Sequence, residues 1–364
     1  MNLGVFLAIG ESLTDFKSKG QLKRLTNYNI RAYSKVFDNV YIFSYANEKG
    51  FTLPKNCKLI PNSTKLHRYI YSLFLPLLKR GEIKECHVLR GLQISGGIPA
   101  IVAKILYKKR YVINYGYDYA KFAAIEDKPV QSFLYKLIES PLVKFADAVI
   151  VTSIEIRKKL IRKIKSKKVY LLRNGVDTKL FKPLKRKHHR KLTIMYLGRL
   201  VKQKNLSALL EGVKSQKNVR VIFFGEGPQK NYLMNLARKH QISLQIRKPV
   251  FWEKIPKILT LADIFVLPSL HEGNPKILLE AMSCAKAVIG ANVEGIRELI
   301  KNGENGLLCE KDPRSIESAI NKLKSLNLRQ KLGTSARKYV LENFDIEKIL
   351  KKEVNLLKNL AKNE

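Results

Sequence analysis

The chain has 364 residues, with 69 Lys and Arg against 30 Asp and Glu and a formal net charge of +39. At 45% hydrophobic, with 20 Gly and 13 Pro, it is neither disordered nor collagen-like, and its length leaves room for two domains with a core each. Four scattered cysteines without a CxxC pair argue against a disulfide framework or a zinc site, and no apolar stretch approaches a membrane span. Both halves of the chain are basic, so no tail explains the charge. A field of this sign favours polyanions: nucleic acid, an anionic membrane surface or phosphorylated substrates. A Lys-rich solvated surface without a partner is the alternative. The apolar start Met1–Ile9 is too short for a signal peptide, and with the cysteine usage it predicts a cytoplasmic protein.

Short β-branched runs, each followed by a Gly- or Asn-containing turn and a helical pattern, predict strands at Leu3–Ile9, Val40–Tyr45, Val88–Arg90, Tyr111–Asn114, Ala148–Thr152 and Val169–Leu172. A helix is predicted over Gln21–Val36. Residues 68–80 are apolar and aromatic with cations at both ends; they read either as a segment in a membrane interface or as a buried helix under a basic rim. The basic stretch Arg157–Lys168 is a second surface for anionic lipid, or a solvated helix face. After Asn174-Gly175-Val176-Asp177 a second series begins, with strands at Leu192–Leu197, Val219–Phe224, Leu244–Ile246, Ile264–Leu267, Ala287–Gly290 and Gly306–Leu308. Helical patterns cover Leu206–Lys214, Lys230–His240 and Lys276–Cys284. Alternating strands and helices imply parallel sheets of right-handed βαβ units, hence an α/β chain of two Rossmann-like domains facing a central cleft. The predicted division is 1–182, 183–340 and a C-terminal helix, 341–364, packing back toward the first domain. The run Lys185–Lys191 marks the boundary, and His188 and His189 within it read as linker solvation rather than metal ligands.

Ligands of parallel sheets bind outside the carboxyl ends of the strands. The first strand of the second series ends at Leu197-Gly198-Arg199-Leu200, with Lys204 beyond. Gly198 would let the backbone approach a ligand closely, and the two cations suit a phosphate group. Phe224-Gly225-Glu226-Gly227-Pro228 is a Gly-rich βα turn without the third Gly of a dinucleotide fingerprint. Between Leu267 and Lys276 a strand joins a helix, with Asn274 as the expected N-cap and Pro275 at the first helical position. The free N–H groups there, with Lys276, form an anion site. Glu272 precedes the cap and Glu280 lies on the helix, and a carboxylate accepts hydrogen bonds from a sugar or a ribose diol. Two carboxylates flanking a phosphate cradle point to a nucleotide-sugar site.

Gly198-Arg199-Leu200 with Lys204, Gly225-x-Gly227, Ser269-x-x-Glu272-Gly273 with Glu280-Ala281-Met282, Glu294-Gly295-Ile296-x-Glu298 and Asn302-Gly303-x-x-Gly306, in this order, resemble retaining glycosyltransferases of family 4, which have the GT-B fold. Asn174-Gly175-Val176-Asp177 and Phe181 are similar to that family's interdomain segment. The resemblance implies that Arg199 and Lys204 neutralise the donor diphosphate, that Glu272 contacts the transferred sugar, and that Glu280 takes the ribose hydroxyls. It further implies that backbone amides of Gly273, Asn274 and Lys276 hold phosphate or sugar oxygens, and that the N-terminal domain binds the acceptor. The chain departs from the family pattern in several places. Ala285 and Ala287 replace a usual Gly and Pro, so the turn there is expected to differ, and Glu294-Gly295 replaces Gly-Gly. The glycine pair of the first βα loop is reduced to Gly20, the candidate for contact with phosphate or acceptor. A family histidine is missing from Asn114–Tyr119, where Asp118 is the candidate for positioning the acceptor hydroxyl or accepting its proton, or else a turn residue.

The expectation is therefore a retaining, hexosyltransferase-type glycosyltransferase in cell-surface polysaccharide synthesis, with a nucleotide-sugar donor and a glycan or lipid-linked acceptor, peripheral at the inner face of a membrane. No DxD pair is present to hold Mg²⁺, so no metal or other cofactor is expected. A nucleotide-sugar epimerase of the same fold is the alternative reading, and a basic nucleic-acid-binding protein a more distant one, since no nucleic-acid-binding module is recognised.

Overall fold

Apolar strands alternating with helices build two separate parallel sheets. A computed structural model describes residues 1–165, 168–185 and 191–362. The predicted boundary run Lys185–Lys191 and the basic stretch Arg157–Lys168 thus fall partly outside the described residues. The chain divides into two compact units: Met1–Asp118, Phe133–Arg173 and Glu347–Glu364 form the first, Tyr119–Ser132 and Asn174–Ile346 the second.

In the first unit β1 (Asn2–Phe6), β2 (Asn39–Phe43), β3 (Cys57–Ile60), β4 (Val88–Gly91), β5 (Arg110–Tyr115), β6 (Ala148–Val151) and β7 (Val169–Leu171) lie in the order β3-β2-β1-β4-β5-β6-β7. All pairs are parallel, with Leu3 in register with Val40 on one side and Val88 on the other. The second unit orders β8 (Leu192–Leu197), β9 (Val219–Phe224), β10 (Leu244–Arg247), β11 (Ile264–Leu267), β12 (Ala287–Ala291) and β13 (Leu307–Cys309) as β10-β9-β8-β11-β12-β13, again parallel. Helices on both faces of a parallel sheet bury its strands on each side, which is why the central strands read as unbroken apolar runs. Among the described residues no helix is long and apolar enough to cross a membrane.

The strands stand within a few residues of where the sequence predicts them, except β3. Its four residues lie at a sheet edge with only Ile60 buried, so they carry no apolar run to detect. At the other end of the error, β1 stops at Phe6 rather than Ile9, because Ser12 starts a helix over Leu13–Ser18. Ser12 and Asp15 form a capping box, with Asp15 N donating to Ser12 Oγ at 3.0 Å and Ser12 N donating to Asp15 Oδ2 at 2.9 Å. The buried Glu48 accepts from Leu13 N and Thr14 N at 2.9 and 2.8 Å at the same end. The first βα loop is therefore 7–12, and its glycine is Gly10, not Gly20. Gly20 follows the helix and ends it: at φ +65° its N–H donates to Lys17 O, while Gln21 N donates to Phe16 O at 2.7 Å. That is a Schellman turn, which accounts for the glycine. The helix predicted over Gln21–Val36 is three pieces, Leu22–Arg24, a π-helical turn Leu25–Ile30, and Arg31–Ser34.

The last helix, Ile346–Lys362, supplies the first unit with a buried carboxylate. Glu353 Oε1 accepts from both Tyr33 Oη and Arg90 Nε at 2.8 Å, with the Arg90 and Glu353 side chains only 3% and 9% exposed. Burial, then the charge of Glu353, pushes the Tyr33 hydroxyl well up from its ordinary pKa. Removing one member of such a pair leaves a buried charge unmatched, so Glu353→Ala should destabilise the protein by about 3–5 kcal/mol. Replacing Arg90 and Glu353 together with Met and Leu should cost less than the two single changes summed, as thermal unfolding of the four proteins would show.

Candidate active site

The strand order of the second unit reverses between β8 and β11, the point where an open parallel sheet offers a crevice to ligands. The sequence motifs sit on the loops leaving these two strands. At the end of β8 the chain turns through Gly198 at φ +152°, where a Cβ would lie 2.4 Å from Tyr196 Oη. Tyr196 Oη donates to Arg199 O at 2.8 Å. A Cβ at Gly225 would meet Gly198 O at 1.8 Å, and one at Gly227, φ +155°, would meet Leu200 O at 2.3 Å. Without side chains there, the loops lock together, Gly198 N donating to Phe224 O at 3.0 Å and Leu200 N to Glu226 O at 2.8 Å. The requirement for glycine thus comes at 198 from the backbone angle and the Tyr196 side chain, and at 225 from the protein's own backbone. Arg199 is exposed beyond this lock, its guanidinium 4.9 Å from the ring centroid of Phe122, on the Tyr119–Ile125 helix.

A 3₁₀ turn, Lys202–Lys204, follows. The buried Gln203 fixes it: its N–H donates to Glu126 Oε1 at 2.8 Å, its Nε2 donates to His271 O, and its carbonyl accepts from Leu270 N at 2.9 Å. The turn is thereby fastened to the loop after β11, and Lys204 Nζ comes 2.5 Å from Glu272 Oε1. Ser269 Oγ donates to the same oxygen at 2.7 Å. The two charged side chains are 14% and 7% exposed, an ion pair largely withdrawn from water.

Four residues past Glu272 the Lys276–Ser283 helix begins. Its N-cap is Pro275, at φ −71° and ψ 111°, and not Asn274 as predicted. Pro275 has no side-chain acceptor for the first turn. Asn274 is diverted to the interdomain motif, its Oδ1 accepting from Asn174 N at 2.9 Å and its carbonyl from Asn174 Nδ2 at 2.6 Å. Asn274 Nδ2 is buried without a hydrogen-bond partner among the described residues. An uncapped helix start beside a buried amide donor is a setting that favours an anion. Lys276 is exposed at that start.

Glu280 lies one turn further on, 3% exposed, and its Oε1 accepts from Trp252 Nε1 at 3.0 Å. The Trp252 ring packs on Phe181 with centroids 5.5 Å apart. The helix ends in a Schellman turn, Ala285 N donating to Met282 O at 2.9 Å and Lys286 N to Ala281 O at 3.1 Å, with Ala285 at φ +55°. The turn is therefore not altered, contrary to expectation; it tolerates alanine at a cost of about 1 kcal/mol. The Glu-Gly departure is neutral too, since Gly295 is the glycine the structure needs. A Cβ there would lie 2.2 Å from Gly273 O and 2.3 Å from Glu272 O.

Glu272, Lys204 and Ser269 are in direct contact, and Gly273, Asn274, Pro275, Lys276 and Glu280 adjoin them along one loop and helix. Gly20 and Asp118 belong to the first unit, where the buried Asp118 has Lys159 Nζ 2.5 Å from its Oδ2. Sequence reasoning missed Ser269 as a partner of Glu272, although their three-residue spacing was a usable signal. It also missed Trp252 and Gln203, which no local pattern connects to the carboxylates. Among the described residues no group of three or more His, Cys, Asp or Glu is placed to hold a metal ion.

Two parallel Rossmann-like sheets define the GT-B architecture. Sucrose-phosphate synthase from Thermosynechococcus elongatus superposes with a TM-score of 0.84 over 100% of both chains at 17% identity. HepE of Anabaena, solved in complex with UDP, superposes with a TM-score of 0.76 over 99% of this chain and 100% of that one at 15% identity. Residues 177–339 match the family described as glycosyl transferases group 1. A relative from Escherichia coli, a UDP-Gal:alpha-D-GlcNAc-diphosphoundecaprenol alpha-1,3-galactosyltransferase, is 28% identical across 87% of this chain and 85% of its own length. The match to the glycosyl transferases group 1 lies within the second unit, and the chain is a glycosyltransferase.

Because the atoms facing Gly295 are backbone oxygens that cannot swing away, Gly295→Ala should destabilise the protein by about 1–3 kcal/mol. Gly81→Ala, where nothing lies within 4 Å of the added Cβ, should leave the melting temperature unchanged or slightly raised.

Proposed function

We propose that this glycosyltransferase is a retaining hexosyltransferase of family 4. In this reading it moves a sugar from a nucleoside-diphosphate sugar to a glycan or lipid-linked acceptor during cell-surface polysaccharide synthesis, at the cytoplasmic face of a membrane. The observation that carries the reading is the placement of two buried carboxylates on either side of an uncapped helix start, one of them paired with a lysine, at the point where the strand order reverses. The printed names of relatives support it: the Escherichia coli protein is named for a UDP-sugar donor and a diphosphoundecaprenol acceptor, and HepE is solved with UDP.

In the transfer the bond from sugar C1 to the phosphate oxygen breaks and one from C1 to the acceptor oxygen forms, giving the glycoside, a nucleoside diphosphate and a proton. Negative charge grows on the departing diphosphate. The helix-start N–H groups, Arg199 and Lys204 oppose it with charge already in place, so no metal or other cofactor is assigned. An ammonium has three donors, and Lys204 commits one to Glu272, so it can join the carboxylate to a phosphate oxygen. Glu272 receives hydroxyls of the transferred sugar. Glu280 receives the ribose diol, with Trp252 as the positioning residue that fixes its rotamer. Asp118, held by Lys159, takes the acceptor hydroxyl. Nucleic acid has no part in this reading.

A thermal-shift screen over nucleotide sugars should find at least one that raises the melting temperature. Glu280→Gln should weaken that donor at least about tenfold, the worth of a charged hydrogen bond, and Trp252→Phe should weaken it less. Silence across the screen, or unchanged affinity in Glu280→Gln, would refute the assignment. Arg199→Ala should stay folded and lose about 10²–10³ in turnover, read by release of nucleoside diphosphate; a near-normal rate would place the leaving group elsewhere.

A further inference from the structure

The Arg68–Leu78 helix of the first unit is apolar on both sides. Tyr71 and Leu75 are sealed into the core, while Tyr69, Ile70, Leu73, Phe74, Leu77 and Leu78 are 45–60% exposed. Their spacing draws one continuous stripe along the outward face, where a helix bordering water carries polar groups. The Gly97–Tyr107 helix packs along it and exposes Ile105 and Leu106. The Pro129–Phe145 helix, whose Leu142 lies against Gly97, adds exposed Phe133 and Leu137. The steps from β3 to β4, β4 to β5 and β5 to β6 all run in one direction across the sheet, so right-handed crossovers put these helices on one face. An apolar area of this extent marks an interaction surface.

The charges around it identify the partner. Residues 65–80 and 97–110 contain no Asp or Glu, and the one acid in 128–145, Glu139, is buried and accepts from Tyr115 Oη at 2.7 Å. Exposed Lys65 and Arg80 stand at the ends of the first helix, Lys108 beyond the second, Lys136 and Lys144 on the third. A second copy would bring the same cations against themselves with no carboxylate to receive them. Anionic headgroups over acyl chains match both features. We propose that this face docks onto an anionic phospholipid membrane, with the Arg68–Leu78 helix lying in the plane of the interface, its outer stripe among the acyl chains and the lysines and arginines at headgroup level.

The experiment needs no donor and no activity, so it stands or fails apart from the reaction proposed above. The full chain is sedimented with vesicles of phosphatidylcholine alone and of phosphatidylcholine with phosphatidylglycerol. Binding is expected to the second and to weaken with salt. The double variant Leu73→Ser with Phe74→Ser should bind about tenfold less or weaker still, with its melting temperature kept. Ile105→Ser with Leu106→Ser tests the same face on a separate helix should the first pair fold poorly. The proposal fails if wild type does not pellet with anionic vesicles, or if both double variants bind as wild type does. It fails as well if the wild-type chain is a dimer that these substitutions dissociate, since a second copy would then cover the face.

Discussion

The site rests on the contact between Lys204 and Glu272. A carboxylate withdrawn from water needs partners in place of the water it loses, and the lysine, with the Ser269 hydroxyl on the same oxygen, supplies them and orients it. Lys204 reaches that position only because Gln203 ties its turn to Glu126 on one side and to the His271 backbone on the other. The loops around it depend on glycines that let two pairs of chain segments touch at distances no side chain would permit, Gly225 against Gly198 and Gly295 against Glu272. Charge placement in this protein is thus a result of backbone packing.

Glu280 is held by a different route. The motif Asn174-Gly175-Val176-Asp177 clamps Asn274 and leads to Phe181, which packs on the tryptophan that donates to Glu280. The Phe181 carbonyl also accepts from Ser283 Oγ at 2.5 Å and Arg337 Nη1 at 3.0 Å, pinning the far end of the same helix. One short segment therefore fixes both ends of the element on which the second carboxylate rides.

Much of this was legible in the sequence because strand periodicity and ordered motifs are local properties. The sheet ends and the carboxylates on their loops follow from them. What was not legible needed a distant partner or a choice between near-equal caps. Asn274 has the right chemistry for an N-cap, but Asn174, a hundred residues earlier, competes for its side chain and wins. Trp252 has no reason in its own neighbourhood to meet Glu280. Gly20 was misplaced because the apolar run at the start continues past β1, although Ser12 and Asp15, three apart, already signalled where the helix begins. At Ala285 residue identity suggested a changed turn, whereas the six-to-one and five-to-two hydrogen bonds keep the left-handed conformation in spite of the methyl group.

The division of the chain has a bearing on how it is made. Arg90 is laid down early, on a central strand, while the carboxylate that answers its charge arrives with the last helix. A nascent first unit on the ribosome therefore carries an unmatched guanidinium in its interior until the chain has emerged as far as Glu353. Its maturation is a late event, following synthesis of the segment that forms most of the second unit, and a message cut short before Glu353 would yield a product defective in the portion translated first.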